Sequence, residues 1–286
     1  MGRKQILMIC TMVFLSLFAL SPGGAQAITF SGIDLGVVAD NNLGVSVLGN
    51  NSLTNASGAD TINGGLGLPT GISYSWTVNG GVYRWSAGDV AAVNSAMTNA
   101  YNLSPSPNKT FDSVTGNQIF TVSTTNANIY GGYDTVVKIT NAININGKTL
   151  TITGGANDYF IFNVGGAFIA TDSSILLSGG ITADHVLFNV LGTDTMGENI
   201  SATSTVLNGT YYSAANIHIT GGTITGALIA NKIWDDDSTN PVFPITVNAD
   251  PYEYGGYPAS VPEPGTLLLF GSGLIGLAAS IKRFKK

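Results

Sequence analysis

Two stretches, Asp158-Tyr159-Phe160-Ile161-Phe162-Asn163-Val164 and Asp184-His185-Val186-Leu187-Phe188-Asn189-Val190, match at Asp, Phe, Asn and Val with an offset of 26 residues. A period of that size suits one coil of a parallel β-solenoid, about three strands of ~5 residues plus corners. Phe162 and Phe188 are then expected to stack inside successive coils, with Asn163 and Asn189 repeating beside them. An ordinary sandwich with two similar strands satisfies the same periodicity.

Alternation of apolar and polar residues runs through Ile119–Ser123, Val137–Thr140, Leu150–Thr153 and Ile217–Thr220, the mark of strands buried on one face. Gly-Gly pairs at 131–132, 154–155, 165–166, 179–180 and 221–222 and Asn-Gly at 146–147 and 208–209 supply corners. One segment departs from this pattern: over 88–102, Val90, Val93, Met97, Ala100 and Tyr101 fall on a helical stripe, with Asp89 near its start and Ser104-Pro105 after its end. Residues 28–249 read as one domain, and 250–260, rich in Pro and Gly, as a linker.

Charge and cysteine usage exclude several functions. Between Ile28 and Val261 there are 11 − 2 − 4 = 5 basic and 17 − 1 = 16 acidic residues, a formal charge of 5 − 16 = −11, which repels nucleic acid and anionic lipid. Cys10, the sole cysteine, lies in the N-terminal apolar run, so the body has no disulfide and no thiolate chemistry. No cofactor motif is present.

The N-terminus carries Arg3 and Lys4, an apolar run and Ala25-Gln26-Ala27, the order of a secretory signal over 1–27 cleaved after Ala27. At the other end Thr266–Ile281, about 24 Å long as a helix, can just span a membrane, with Lys282, Arg283, Lys285 and Lys286 holding the terminus inside. Pro262-Glu263-Pro264, this Gly-rich apolar segment and the basic cluster resemble the PEP-CTERM sorting tail of Gram-negative bacteria. The resemblance implies export by the general secretion machinery, transient anchoring in the inner membrane through 261–286, and cutting by an exosortase that leaves the domain at the cell surface or outside. A permanent single-span anchor is the alternative.

The order of an N-terminal β part, one helix and repeated β coils resembles the ice-binding-protein-like family of secreted microbial β-helix domains. The residues carrying this are Val47-Leu48-Gly49, Leu53-Thr54-Asn55, Thr61–Gly67, the helix closing on Ala100-Tyr101-Asn102, the two repeats above, and Gly222–Ala230. Asn163 and Asn189 stand where the family often has Gln, and Gly192–Asn208 reads as a polar insertion. The expected fold is all-β: a right-handed, discontinuous parallel β-helix with one α-helix packed alongside, plus an N-terminal signal helix and a C-terminal transmembrane helix.

Ice recognition needs a flat, rigid face with hydroxyls and methyls at regular intervals, and Thr on stacked coils at ~4.8 Å provides both. The candidates are Thr121, Ser123, Thr149, Thr151, Thr153, Thr203, Thr205, Thr223 and Thr225, expected to point outward where Val122, Leu150, Ile152 and Ile224 point in. Thr is equally favoured on any exposed strand. A structural or adhesive matrix protein that meets extracellular polysaccharide or surface proteins is the second reading. Polysaccharide cleavage is a third: the body offers only Arg84, His185 and His218 in strand contexts, and no catalytic residue is assigned. Asp235-Asp236-Asp237 lacks the spacing of a calcium loop and reads as a solvated turn, so no metal site is assigned.

Overall fold

The computed structural model describes residues 33 to 253, apart from 34, 36, 50–52, 54–59, 105–106 and 236–243. The signal segment with Ala25 and Ala27, the Pro262-Glu263-Pro264 motif, the span 266–281, Asp236 and Asp237 lie outside those residues. Among the described residues no helix is long and apolar enough to cross a membrane.

In chain order the protein forms α1 (Val37–Asp40), β1 (Leu43–Val47), β2 (Thr61–Asn63), β3 (Gly65–Pro69), β4 (Thr77–Val78), β5 (Val82–Trp85) and α2 (Ala87–Asn102). It continues through β6 (Lys109–Phe111), β7 (Gln118–Thr121), β8 (Asp134–Ile139), β9 (Ile143–Asn146), β10 (Thr149–Thr153), β11 (Tyr159–Val164), β12 (Phe168–Thr171) and β13 (Ser174–Ser178). β14 (Val186–Val190), the long β15 (Ile200–Trp234) and β16 (Ile245–Ala249) complete it. Every pairing between these strands is parallel. That is incompatible with a sandwich of hairpins, whose neighbours run antiparallel.

The strands stack as coils with three faces. On the first, β6, β8, β11, β14 and residues 210–213 of β15 follow one another. Residues 228–230 then pair with β1, which continues to β3 and β5. On the second face the order is β7, β10, β13, β15, β16, β2, β4. The third carries β9, β12 and residues 200–203. β15 winds through more than one coil: Asn199 bonds Asn216, Thr205 meets Gly222 and Gly209 meets Gly226, each 17 residues on. The segment from Gly192 is therefore an insertion only as far as Asn199; residues 200–208 are regular coil.

The expected aromatic stack is longer than the repeat alone implies. Phe162 and Phe188 are in register, with ring centroids 4.6 Å apart, and Tyr211 stacks on Phe188 at 4.8 Å. They sit in the principal core inside the coils. β8, β11 and β14 are also covered outside, where Val136, Ile161 and Leu187 pack with Val93, Ala96, Met97 and Ala100 of α2. Burial on both faces explains why these strands read as nearly continuous apolar runs rather than as alternating ones.

α2 begins at Ser86, whose hydroxyl accepts the Asp89 N–H at 3.2 Å while the Asp89 carboxylate accepts the Ser86 N–H at 2.8 Å, a reciprocal cap. Those bonds hold the Asp89 carboxyl below its usual pKa. Its buried stripe is Val93, Ala96, Met97 and Ala100; Tyr101, expected on that stripe, is exposed. Tyr252 and Glu253, in the segment read above as a linker, make contacts with the coils. Tyr252 is buried against Tyr159, its N–H donates to Thr210 Oγ1 at 2.6 Å, and the Glu253 N–H donates to the Asp184 carbonyl at 2.9 Å.

One corner repeats an uncommon backbone. Gly147, Asp172, Ser204 and Gly221, the residues between the third and second faces in successive coils, have φ of 59°, 47°, 51° and 70°. Asp172 and Ser204 hold this left-handed conformation without the freedom glycine gives.

Candidate functional site

On the second face, which α2 does not cover, the register assembles two outward files of side chains. Thr149, Ser174, Val206, Thr223, Thr246, Thr61 and Thr77 occupy equivalent positions in successive coils. Two residues further along each strand come Ile119, Thr151, Leu176 and Asn208 in the far coils, then Thr225, Asn248 and Asn63. Asn79 extends that file by one rung, since its side chain bonds Asn63. The intervening Leu150, Ile175, Ile224, Val247 and Ile62 are buried. Strand alternation thus turns every second residue to solvent and anchors the others in the core.

Four consecutive rungs share one short pattern: Thr77-Val78-Asn79-Gly80, Thr61-Ile62-Asn63-Gly64, Thr246-Val247-Asn248-Ala249 and Thr223-Ile224-Thr225-Gly226. The small fourth residue is dictated by the corner. A Cβ on Gly226, whose φ is +136°, would lie 2.0 Å from the Gly209 carbonyl oxygen. Asn63 Nδ2 donates to Asn248 Oδ1 at 2.8 Å, and Asn79 Nδ2 donates to Asn63 Oδ1 at 2.8 Å. Buried Asp60 locks the same junction by accepting the Ile245 N–H at 2.8 Å. No titratable side chain lies in the two files of these four rungs.

The structure separates the residues singled out from the sequence. Thr149, Thr151, Thr153, Thr223 and Thr225 are half-buried on the second face, and Thr121 is exposed at its end, with Lys109 Nζ donating to its hydroxyl at 3.0 Å. Desolvation holds the Lys109 ammonium below its ordinary pKa. Thr203 lies on the third face, in register with Thr171 and Asn146. Ser123 follows the end of β7 and bonds Thr125. Thr205 is turned into the corner and is 1% exposed, so it does not face outward as expected. Thr61, Asn63, Thr77, Asn79, Thr246 and Asn248 were not among the sequence candidates; the recurring Thr-x-Asn-Gly motif was the signal that could have found them.

The two histidines and Arg84 make structural contacts. His185 stacks on Tyr159 at 4.0 Å with Nδ1 3.1 Å from the Asp158 carbonyl, and His218 places Nδ1 3.2 Å from the Glu198 carboxylate. Arg84 donates to the carbonyls of Pro69 and Ile72 at 2.9 and 3.0 Å. Among the described residues no group of three His, Cys, Asp or Glu side chains could hold a metal ion.

A family profile described as ice-binding-like matches residues 24–234, and a PEP-CTERM protein-sorting motif matches residues 260–283. The fold is similar to that of an ice-binding protein from the Antarctic ascomycete Antarctomyces psychrotrophicus, at 21% identity and TM-score 0.53, covering 77% of this chain and 98% of that one. An ice-binding protein from an Antarctic biological consortium matches at 21% identity and TM-score 0.54, over 77% of this chain and 90% of the other. A glycosylated ice-binding protein from an Arctic yeast matches at 15% identity and TM-score 0.52, over 80% and 98%. No curated protein matches the sequence.

Proposed function

Since this chain belongs to the ice-binding-like family, we propose that it is a non-enzymatic protein that binds ice, or another ordered surface, through the second face. The observation that carries the reading is the run of four rungs in which Thr alternates with Asn or Thr around a buried aliphatic residue. Each Thr offers a hydroxyl to hold a water and a methyl to exclude one, and parallel pairing spaces them at ~4.8 Å. Backbone hydrogen bonds fix that spacing before any ligand arrives, so little ordering entropy remains to be lost on binding. Coils joined in this way are expected to wind right-handed.

The sorting motif supports an exported protein that ends at the cell surface or in the medium. In this proposal residues 266–281 hold the chain in the inner membrane until an exosortase cuts near Pro262-Glu263-Pro264, after the general secretion machinery has removed 1–27. A matrix-adhesion reading is favoured by the far half of the same face, where Ile119, Leu176 and Val206 are 64%, 44% and 45% exposed among the hydroxyls. A contact there would bury apolar area against polysaccharide or a surface protein.

Thermal hysteresis and ice-recrystallisation inhibition of the purified fragment 28–260 test the proposal, with Thr61→Tyr, Thr223→Tyr and Thr246→Tyr beside it. Activity in the parent that is lost in folded variants is the expected result. A folded parent without activity rejects ice and leaves adhesion.

A further inference from the structure

We infer that the amide ladder Asn79–Asn63–Asn248, rather than the hydroxyl file beside it, sets where this face holds water; the inference rests on the ice reading above. An Asn side chain has two N–H donors and an oxygen with two lone pairs. Asn63 uses one donor on Asn248 Oδ1 and one lone pair on Asn79 Nδ2, both at 2.8 Å. One donor and one acceptor are left on an exposed side chain whose torsions the two ladder bonds fix. A Thr hydroxyl in the neighbouring file carries one donor and rotates freely unless bonded. The ladder is therefore the part of the face on which donors and acceptors are both present and both held at rung spacing, which an ordered water layer requires.

The ladder is local. In register with Asn248 the next rung has Thr225; Asn208 follows, but its amide donates to the Ile175 carbonyl at 2.6 Å rather than to a neighbouring side chain, and beyond it stand Leu176, Thr151 and Ile119. The inference thus assigns water ordering to the end of the face built by β16, β2 and β4. It also makes Asn63, bonded on both sides, the residue whose loss is felt most.

Asn63→Thr is the decisive variant, because it turns Thr61-Ile62-Asn63-Gly64 into the pattern that Thr223-Ile224-Thr225-Gly226 already carries in this fold. If threonines alone set activity, this variant equals or exceeds the parent. The ladder predicts the opposite: the concentration needed to arrest recrystallisation rises about tenfold, while the unfolding midpoint moves by only a few degrees. Asn144→Thr, at an exposed asparagine of the third face, should change neither. The protein is to be assayed as the cell delivers it, with Asn248→Thr as a second ladder variant in case Asn63→Thr fails to fold. Undiminished inhibition in either folded ladder variant overturns the inference and leaves the ice reading standing. A parent that does not inhibit recrystallisation removes both.

Discussion

Asn189 Nδ2 donates to Asn163 Oδ1 at 2.9 Å, and the two amides also donate to helix carbonyls, Asn163 to Ala100 at 2.8 Å and Asn189 to Met97 at 3.2 Å. The pair is buried between β11, β14 and α2, and it fastens the last turns of the helix to the coils. Asn163→Leu removes the donor to the Ala100 carbonyl and the acceptor of the Asn189 amide, which keeps its bond to Met97, at a cost of about 2 kcal/mol. Chemical denaturation should show this loss, with no change in ice activity relative to folded parent.

The aromatic stack predicts a larger effect. Phe162→Ala opens a cavity between Phe188 and Phe120, whose ring lies 5.0 Å from Phe162, and should cost about 3 to 5 kcal/mol. Thermal unfolding by circular dichroism measures it; a loss below about 1 kcal/mol would mean that the coils collapse around the gap.

The left-handed corner offers a stabilising change. Ser204 at φ 51° carries a Cβ in a conformation that glycine tolerates and that Gly147 and Gly221 adopt at equivalent corners. Ser204→Gly should raise stability by about 0.5 to 1 kcal/mol, net of the greater freedom glycine has when unfolded. Gly226→Ala should do the reverse, since its Cβ would meet the Gly209 carbonyl at 2.0 Å, and is expected to cost about 3 kcal/mol or more.

Asp250 predicts a pH dependence. Burial, and then the negative charge of Asp184, raise its carboxyl above the ordinary aspartate value. A raised acid is disfavoured as carboxylate in the folded state, so its contribution is fully present below the unfolded pKa and is lost as pH rises through the folded pKa. Asp250→Asn should therefore exceed the parent in stability at about pH 7 and match it at about pH 3, as read from urea midpoints.

The coil repeat, α2 and the corner glycines were legible because each follows from a local rule: the offset between Phe162 and Phe188, the stripe from Val93 to Ala100, and Asn-Gly at 146–147. The candidate face was legible only in part. Thr223 and Thr225 stand out by alternation within one strand, whereas Thr61 and Thr246 become neighbours only through the pairing of β2 with β16. That contact joins segments 185 residues apart, as Asn63 and Asn248 show, and no periodicity along the chain encodes it. Thr205 misled for a related reason: its alternation is regular, but the corner at Ser204 rotates the chain and buries the hydroxyl.

The same junction governs when the protein can become itself. β1 finds β3 within a short loop, but its other edge waits for residues 228–230, and β2 waits for β16. The first strands to leave the ribosome are thus among the last to be completed, and closing so long a loop is slow. A nascent chain truncated before Ile245 has an open seam in the middle of its solenoid, whereas a permuted gene that began at Lys109 and ran through Ala249 into Leu43 would lay its rungs down in spatial order and should fold faster.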